Sequence, residues 1–473
     1  MQDWKNYKKV LLPDIPNLNQ IEVYEANGGY AKWKEVITGT GTHTIVKKEE
    51  KTLEDGTKQI IETKEQVPYS PKVVVDIVKS ANVRGRGGAG FNAGLKWSFM
   101  PPKKEGLPRY LAVNGDESEP GSFKDRRLME FNPHLVIEGI LFACYAMEMD
   151  AAYIYIRGEY IDYLNFLEKA VFQAYEKGYV GKNILGSGRS IDIYVHRGAG
   201  AYICGEETSL MESLEGKRAY PRSKPPFPAQ KGLWGCPTTI NNVDTMAQSA
   251  LVMRYGAEWY ASIGAKTHPG PFLYGISGHV NRPGIYEYPT GMLITDLIYK
   301  VAGGMKNGKK LKAVIPGGVS VPILRADMIE GVRMDTDSLA VAGLDIENGK
   351  YGFPLGNRKI GSMMGTGGMV IMNEDTDMVK LVRRISQFFH HESCGQCTPC
   401  REGTGWLEKL IIKIDEGRGE MKDLDLLFSL TENMEGRTVC MLADASAWPV
   451  RATIIRFREE FEAKVKNSVY AVS

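Results

Sequence analysis

Arg84–Met100 reads R-G-R-G-G-A-G-F-N-A-G-L-K-W-S-F-M, with glycines at 85, 87, 88, 90 and 94. Glycine at this density lets a backbone take positive φ and come close to a flat or phosphorylated ligand. Arg84, Arg86 and Lys96 add cationic donors, and Phe91, Trp97 and Phe99 add aromatic faces. The combination suits a ligand with both phosphates and planar rings, a nucleotide; the competing reading is a glycine-rich structural turn. Gly85-x-Gly87-x-x-Gly90 satisfies the dinucleotide pattern, which needs a strand before it and a helix after it. The preceding Pro71–Val83 instead carries apolar residues at 74, 75, 77 and 78 behind a proline, which predicts a helix. The ordinary dinucleotide-binding context therefore fails.

Downstream, Arg109–Val113 is a short apolar strand that runs into Asn114-Gly115-Asp116-Glu117-Ser118-Glu119-Pro120-Gly121. Acidic groups directly after a buried strand sit where α/β folds bind ligands; the plainer reading is a helix cap and a solvated loop. Pro133–Met149 reads as a helix, Ala151–Ile156 as a strand, Ile161–Lys177 as an amphipathic helix and Ile191–Val195 as a strand. This alternation predicts an α/β sandwich with a largely parallel sheet. The last strand opens into a second glycine-rich loop, Arg197–Ser209, holding Tyr202, Gly205, Glu206 and Glu207. Pro221–Pro228 has four prolines in eight residues, which predicts a rigid wall presenting Lys224 and Phe227. Thr238–Thr245 puts Asn241, Asn242 and Thr245 at a helix start, where amides and hydroxyls suit phosphate.

Upstream, Met1–Gly39 is an arm with a short helix near Tyr30–Val36, and Thr40–Val67 predicts a charged two-stranded ribbon turning at Glu54-Asp55-Gly56-Thr57. From about Gly270, strands at Phe272–Ser277, Gly284–Tyr288 and Ala313–Ile315 surround a helix at Leu293–Lys300, an α+β module. From Met378 the chain turns helical, with Pro449–Val465 as the last helix. The expected units are thus 1–70, 71–268, 269–350 and 351–473.

At 473 residues the chain can bury several cores, and a net charge of +2 offers no broad field for nucleic acid or anionic lipid. Neither a targeting signal nor an apolar run of membrane-spanning length is evident, so membrane association is expected only through partners. Seven cysteines with three packed as Cys394-x-x-Cys397-x-x-Cys400 make a poor disulfide layout and a good metal layout. A [4Fe-4S] cluster needs four thiolates, and such runs with a distant fourth ligand suit it; structural zinc more often uses two separated pairs. Spacing leaves Cys440 and Cys236 both open as the fourth ligand. Cys144, Cys204 and Cys236 otherwise read as small core residues. Arg401 and the helix starting there would favour the reduced cluster. A nucleotide pocket beside an iron–sulfur site points to a flavin, which converts a hydride into single electrons. A non-catalytic zinc-stapled scaffold is the reading from another class.

The motifs RGRGGAGF, LKWSFMP, DESEPGSFKDR, IRGEY, HRGAGAYICGEETSL, SLEGKRAYPRSKPPFPAQKGLWGCPTTINNVDT and ESCGQCTPCREG occur in this order. On them the sequence, from about residue 20 to 460, resembles the NADH-binding FMN/iron–sulfur flavoprotein (51-kDa type) subunits of respiratory NADH:quinone oxidoreductase, complex I. The resemblance implies a Rossmann-like but atypical α/β sandwich, then a β-grasp-like module and a helical bundle carrying the cluster. FMN would be held by Gly85, Arg86, Gly87, Lys96, Asn114, Asp116, Glu117, Tyr202, Gly205, Glu206, Glu207, Asn241, Asn242 and Thr245. NADH would meet Gly88, Phe91, Phe99, Glu119, Lys224 and Phe227. The family's cluster selects Cys440 to complete Cys394, Cys397 and Cys400. No side chain is expected to act as acid or base. Implied partners are a thioredoxin-like [2Fe-2S] subunit and a larger multi-cluster iron–sulfur subunit, at the cytoplasmic side of the bacterial inner membrane. Diaphorase subunits of NAD-linked hydrogenases and formate dehydrogenases share many of the motifs, but this chain ends soon after its helical domain, which favours complex I. Asn92-Ala93 stands where Pro-Thr is expected and Gly115 where alanine is usual, changes that bear on loop stiffness.

Overall fold

The computed structural model describes residues 4–52, 58–344, 352–355 and 358–466. The ribbon is an antiparallel pair, β1 (Thr42–Thr52) with β2 (Lys58–Pro68), in register from Thr42 opposite Pro68; its expected turn at 54–57 lies outside the described residues. The helix before the glycine loop is Pro71–Ser80, capped where Ser70 Oγ accepts from Val73 N. It buries Val74, Ile77 and Val78, as its spacing requires.

Four strands form a wholly parallel sheet: β3 (Tyr110–Gly115), β4 (Ala151–Ile156), β5 (Asp192–Arg197) and β6 (Thr238–Asn242), ordered β5-β4-β3-β6. β6 departs from the sequence reading; the polar run Thr-Thr-Ile-Asn-Asn reads as a helix start, and the helix Val243–Tyr255 does follow at once. The helix Pro133–Met147 is buried along its whole length and packs on Val243–Tyr255. That approach is possible because a Cβ on Gly139 would stand 1.9 Å from the Met246 carbonyl oxygen. Leu11, Trp33 and Val36 of the N-terminal arm share this core.

A small pair, β7 (Gly264–Ala265) with β8 (His268–Pro269), leads into a five-stranded mixed sheet. Its order is β10-β9-β15-β11-β12, where β9 is Pro271–Gly278, β10 Gly284–Pro289, β11 Leu311–Ile315, β12 Leu324–Arg325 and β15 Gly368–Asn373. The central strand β15 lies past the expected end of this module at 350, so the sheet reaches Asn373. A short hairpin, β13 (Phe353–Leu355) with β14 (Arg358–Ile360), precedes it. The chain then forms the helices Met378–Glu392, Thr398–Asp415, Met421–Met434, Leu442–Arg456 and Arg458–Lys466. Pro449, expected at a helix start, sits inside Leu442–Arg456, and the break falls at Phe457 instead. Among the described residues no helix is long and apolar enough to cross a membrane.

Candidate functional site

The first glycine loop closes on itself. Gly85 N donates to the Phe91 carbonyl at 2.8 Å, Ala93 N to that of Val83 at 2.8 Å, and Asn92 Oδ1 caps the next helix by accepting from Leu95 N at 2.8 Å. Gly88 has φ +113°, open to glycine and costly for other residues. A Cβ on Gly87 would lie 3.3 Å from Asn242 Cβ, so the loop rests on the end of β6. Arg86 anchors it: its N–H donates to Thr245 Oγ1 at 2.9 Å, while its buried guanidinium reaches His268, Tyr260 Oη (3.0 Å) and the Pro269 carbonyl (2.9 Å). The guanidinium is thus committed to β8 and the start of β9, through the Pro269 and Pro271 carbonyls, with its buried Nε left without a partner. What Arg86 brings to the site is its backbone.

The ends of β3 and β6 are tied together. Asn114 Nδ2 donates to the Gly205 carbonyl at 2.8 Å, and Asn242 Nδ2 donates to the Asn114 carbonyl (3.2 Å) and to Asp125 Oδ2 (2.7 Å). Asn241 Oδ1 accepts from Trp97 Nε1 at 3.0 Å. Beneath them Lys124, almost fully buried, pairs with Asp125 at 2.5 Å and Asp244 at 3.0 Å. Burial raises the Asp125 carboxyl against the pull of Lys124. The carboxylate of Glu117 accepts from Asp125 N at 2.9 Å and Arg126 N at 3.2 Å, capping the helix Asp125–Phe131. Glu119 accepts from Ser320 N, Ser320 Oγ and Tyr202 Oη, each at 2.7 Å, joining the loop to the five-stranded module. Asp116 differs: its carboxyl meets the Ser118 hydroxyl, and burial pushes it up to about 7, with Glu159 and Glu392 adding and Ser118 and Arg157 opposing.

The second loop presents Glu206 as N-cap of Glu207–Leu214, accepting from Thr208 N at 2.7 Å and Ser209 N at 2.9 Å. Glu207 sits between Lys96 (2.9 Å) and Lys224 (2.5 Å). Burial raises its pKa, but the two ammonium groups win and hold it at about 2. Phe91 and Phe99 stand 6.1 Å apart, and both they and Phe227 are exposed.

A cavity of about 410 Å³ is lined by Gly87, Gly88, Asn114, Asp116, Glu206 and Asn242 on one side and by Cys440 on the other. Lys96, Glu207, Lys224, Asn241, Thr245 and the three phenylalanines are not on its wall. Ser320 and Thr366 of the module and Met441 and Trp448 of the helical end also line it. Sequence reasoning missed these four, since nothing in their local pattern ties them to loops more than a hundred residues away. The helical end brings the cysteines together. Val439 N donates to Cys397 Sγ at 3.4 Å, and Ser393 Oγ lies 3.2 Å from Cys400 Sγ. Burial pushes the Cys440 thiol up to about 12, with Glu206, Cys400 and Cys394 adding to it. Among the described residues no three His, Cys, Asp or Glu side chains stand close enough to hold a single ion. The donor set at this end is all thiol, the soft kind that iron–sulfur centres take. Cys236 is half-buried, unlike the core residues Cys144 and Cys204.

Three family models match: one described as Nuo51 FMN-binding domain over residues 78–250, an SLBB domain over 273–324, and an NADH-ubiquinone oxidoreductase-F iron-sulfur binding region over 380–464. The NADH-quinone oxidoreductase F subunit 2 of Rhizobium meliloti (strain 1021) is 45% identical over 454 residues, covering 96% of each chain. The corresponding F subunit of Rickettsia typhi (strain ATCC VR-144 / Wilmington) is 49% identical over 395 residues, 83% of this chain and 89% of that one. The structure of an air-oxidised NAD+-reducing [NiFe]-hydrogenase matches with TM-score 0.71 and 34% identity, over 84% of this chain and 63% of that one. With such identity along nearly its full length, the chain belongs to the family of F subunits of NADH-quinone oxidoreductase.

Proposed function

We propose that this chain oxidises NADH at a bound FMN and delivers electrons one at a time, through a [4Fe-4S] cluster, to partner subunits of a bacterial NADH-quinone oxidoreductase. The observation that carries the reading is the single cavity that touches both glycine loops and Cys440. FMN supplies the conversion of a two-electron hydride into single electrons. Gly85, Gly87 and the Arg86 backbone would cradle it, with Asn114, Asp116, Glu117, Tyr202, Gly205, Glu206, Asn241, Asn242 and Thr245 fixing the walls. Lys96 and Lys224 would supply cations beside Glu206 and Glu207, where Glu207 now pairs with both. Gly88, Phe91, Phe99, Glu119, Lys224 and Phe227 would receive NADH; the exposed rings offer stacking faces, whereas the carboxylate of Glu119 is already filled by Tyr202 and Ser320. Orientation over the flavin, not acid–base work, would carry the hydride step. Cys394, Cys397, Cys400 and Cys440 would hold the cluster, and their shared neighbourhood supports this.

The finer assignments are proposals of the same kind. The five-stranded sheet with its short helical turn at Ile294–Val301 supports a β-grasp-like module, extended to 373, between a Rossmann-like but atypical sandwich and the helical bundle. A thioredoxin-like [2Fe-2S] subunit and a multi-cluster subunit would take the electrons, on the cytoplasmic side of the inner membrane. A hydrogenase-type diaphorase is the second reading, favoured by the structural match alone. Purified protein should be yellow-brown, NADH should bleach the flavin band, and a paramagnetic iron signal should appear. Bleaching without that signal overturns the reading.

A further inference from the structure

Two carboxyls of the cavity wall, Glu119 and Asp116, lack the ion pairs of their neighbours among the described residues; Glu119 accepts three hydrogen bonds from Ser320 and Tyr202, whereas Asp116 meets one hydroxyl. Glu117 carries the Arg126 ion pair at 3.1 Å and Asp125 the Lys124 pair, while Glu206 faces Lys224 at 3.6 Å. Asp116 lines the same wall, and no ion pair to it occurs among the described residues; its side-chain partner is the hydroxyl of Ser118. The groups facing it come from four elements. Arg157, after β4, is held by Glu159 at 3.0 Å and donates to the Glu117 carbonyl. Glu159 itself and Glu392, at the end of the helix Met378–Glu392, present negative charge. Tyr155 and Cys204 are neutral, their pKa values raised by burial. A half-buried carboxyl facing two carboxylates, with Arg157 engaged by Glu159, favours the protonated form.

We propose that Asp116 is the proton holder of the cavity, exchanging its proton with the bound flavin during each turnover. This rests on the FMN reading above. Hydride transfer from NADH brings one proton and two electrons to the ring, which then needs a second proton. The Asp116 carboxyl oxygen would supply that proton. On reoxidation the Asp116 carboxylate would take one proton back and the other would leave through the cavity to water, so that each NADH releases one proton and two electrons. Burial lifts the Asp116 carboxyl to about 7, the range in which such exchange runs both ways at neutral pH.

The test is infrared difference spectroscopy of the FMN-loaded protein, reduced minus oxidised, with the flavin midpoint potential measured against pH. The wild type should lose a protonated-carboxyl band on reduction, and its potential should change slope near neutral pH. D116N should abolish both, and D116E should restore the band. A wild-type spectrum with no carboxyl band overturns the proposal, as does a band that survives in D116N. Purified protein without flavin absorbance would instead overturn the FMN reading on which it rests.

Discussion

On the glycine-loop side of the cavity the cations are already held by protein groups. Arg86 lies on His268 and carbonyls, Lys124 on Asp125 and Asp244, and Lys96 on Glu207. On the cysteine side, Cys400 and Cys440 are neutral thiols pushed up by burial and by neighbouring cysteines. The first wall is therefore built before any ligand arrives, whereas the second acquires its charge and its cross-links only with metal. Removing ligand should leave the parallel sheet intact and loosen the helical end.

The sharpest way to break this contrast is Cys440→Ala. It should abolish the paramagnetic cluster signal while FMN content stays near wild type, since metal binding is folding energy only for the helical end. Loss of FMN and cluster together would show one cooperative unit. Next in size is Lys124→Met, which leaves Asp125 and Asp244 facing each other in the core. It should cost about 3–5 kcal/mol in denaturant unfolding, with the loss shrinking on acidification as Asp125 takes a proton. Gly87→Ala is milder: its Cβ meets Asn242 at 3.3 Å, and FMN should bind roughly tenfold more weakly, about 1.4 kcal/mol. Smallest is Glu207→Gln. Because Glu207 is held at about 2 in the folded chain, its pairing adds stability above the ordinary carboxylate range. That part fades as pH falls from about 4.5 towards 2, so the variant's stability profile should be flatter there.

What the sequence told unaided follows from periodicity and caps. Pro71 ahead of apolar residues at 74, 75, 77 and 78 fixed the helix ahead of the glycine loop, and that excluded the ordinary dinucleotide context. β6 was illegible because its strand is polar and ends at an N-cap, Asn242, whose local signal is that of a helix. β15 was illegible because its neighbours β9 and β11 lie far back in the chain. Among site residues, glycines were legible as close approach, but the protein partners of the charged groups were not. Glu117, Glu206 and Arg86 each spend hydrogen bonds on backbone as well as lining the cavity.

The buried guanidinium of Arg86 reaches residues more than 170 positions later in the chain. Substitutions around Tyr260–Phe272, outside any obvious ligand contact, are thus where inherited or selected variation could tune how firmly a cofactor stays put. A survey of cofactor-leaky variants confined to the glycine motif would overlook them.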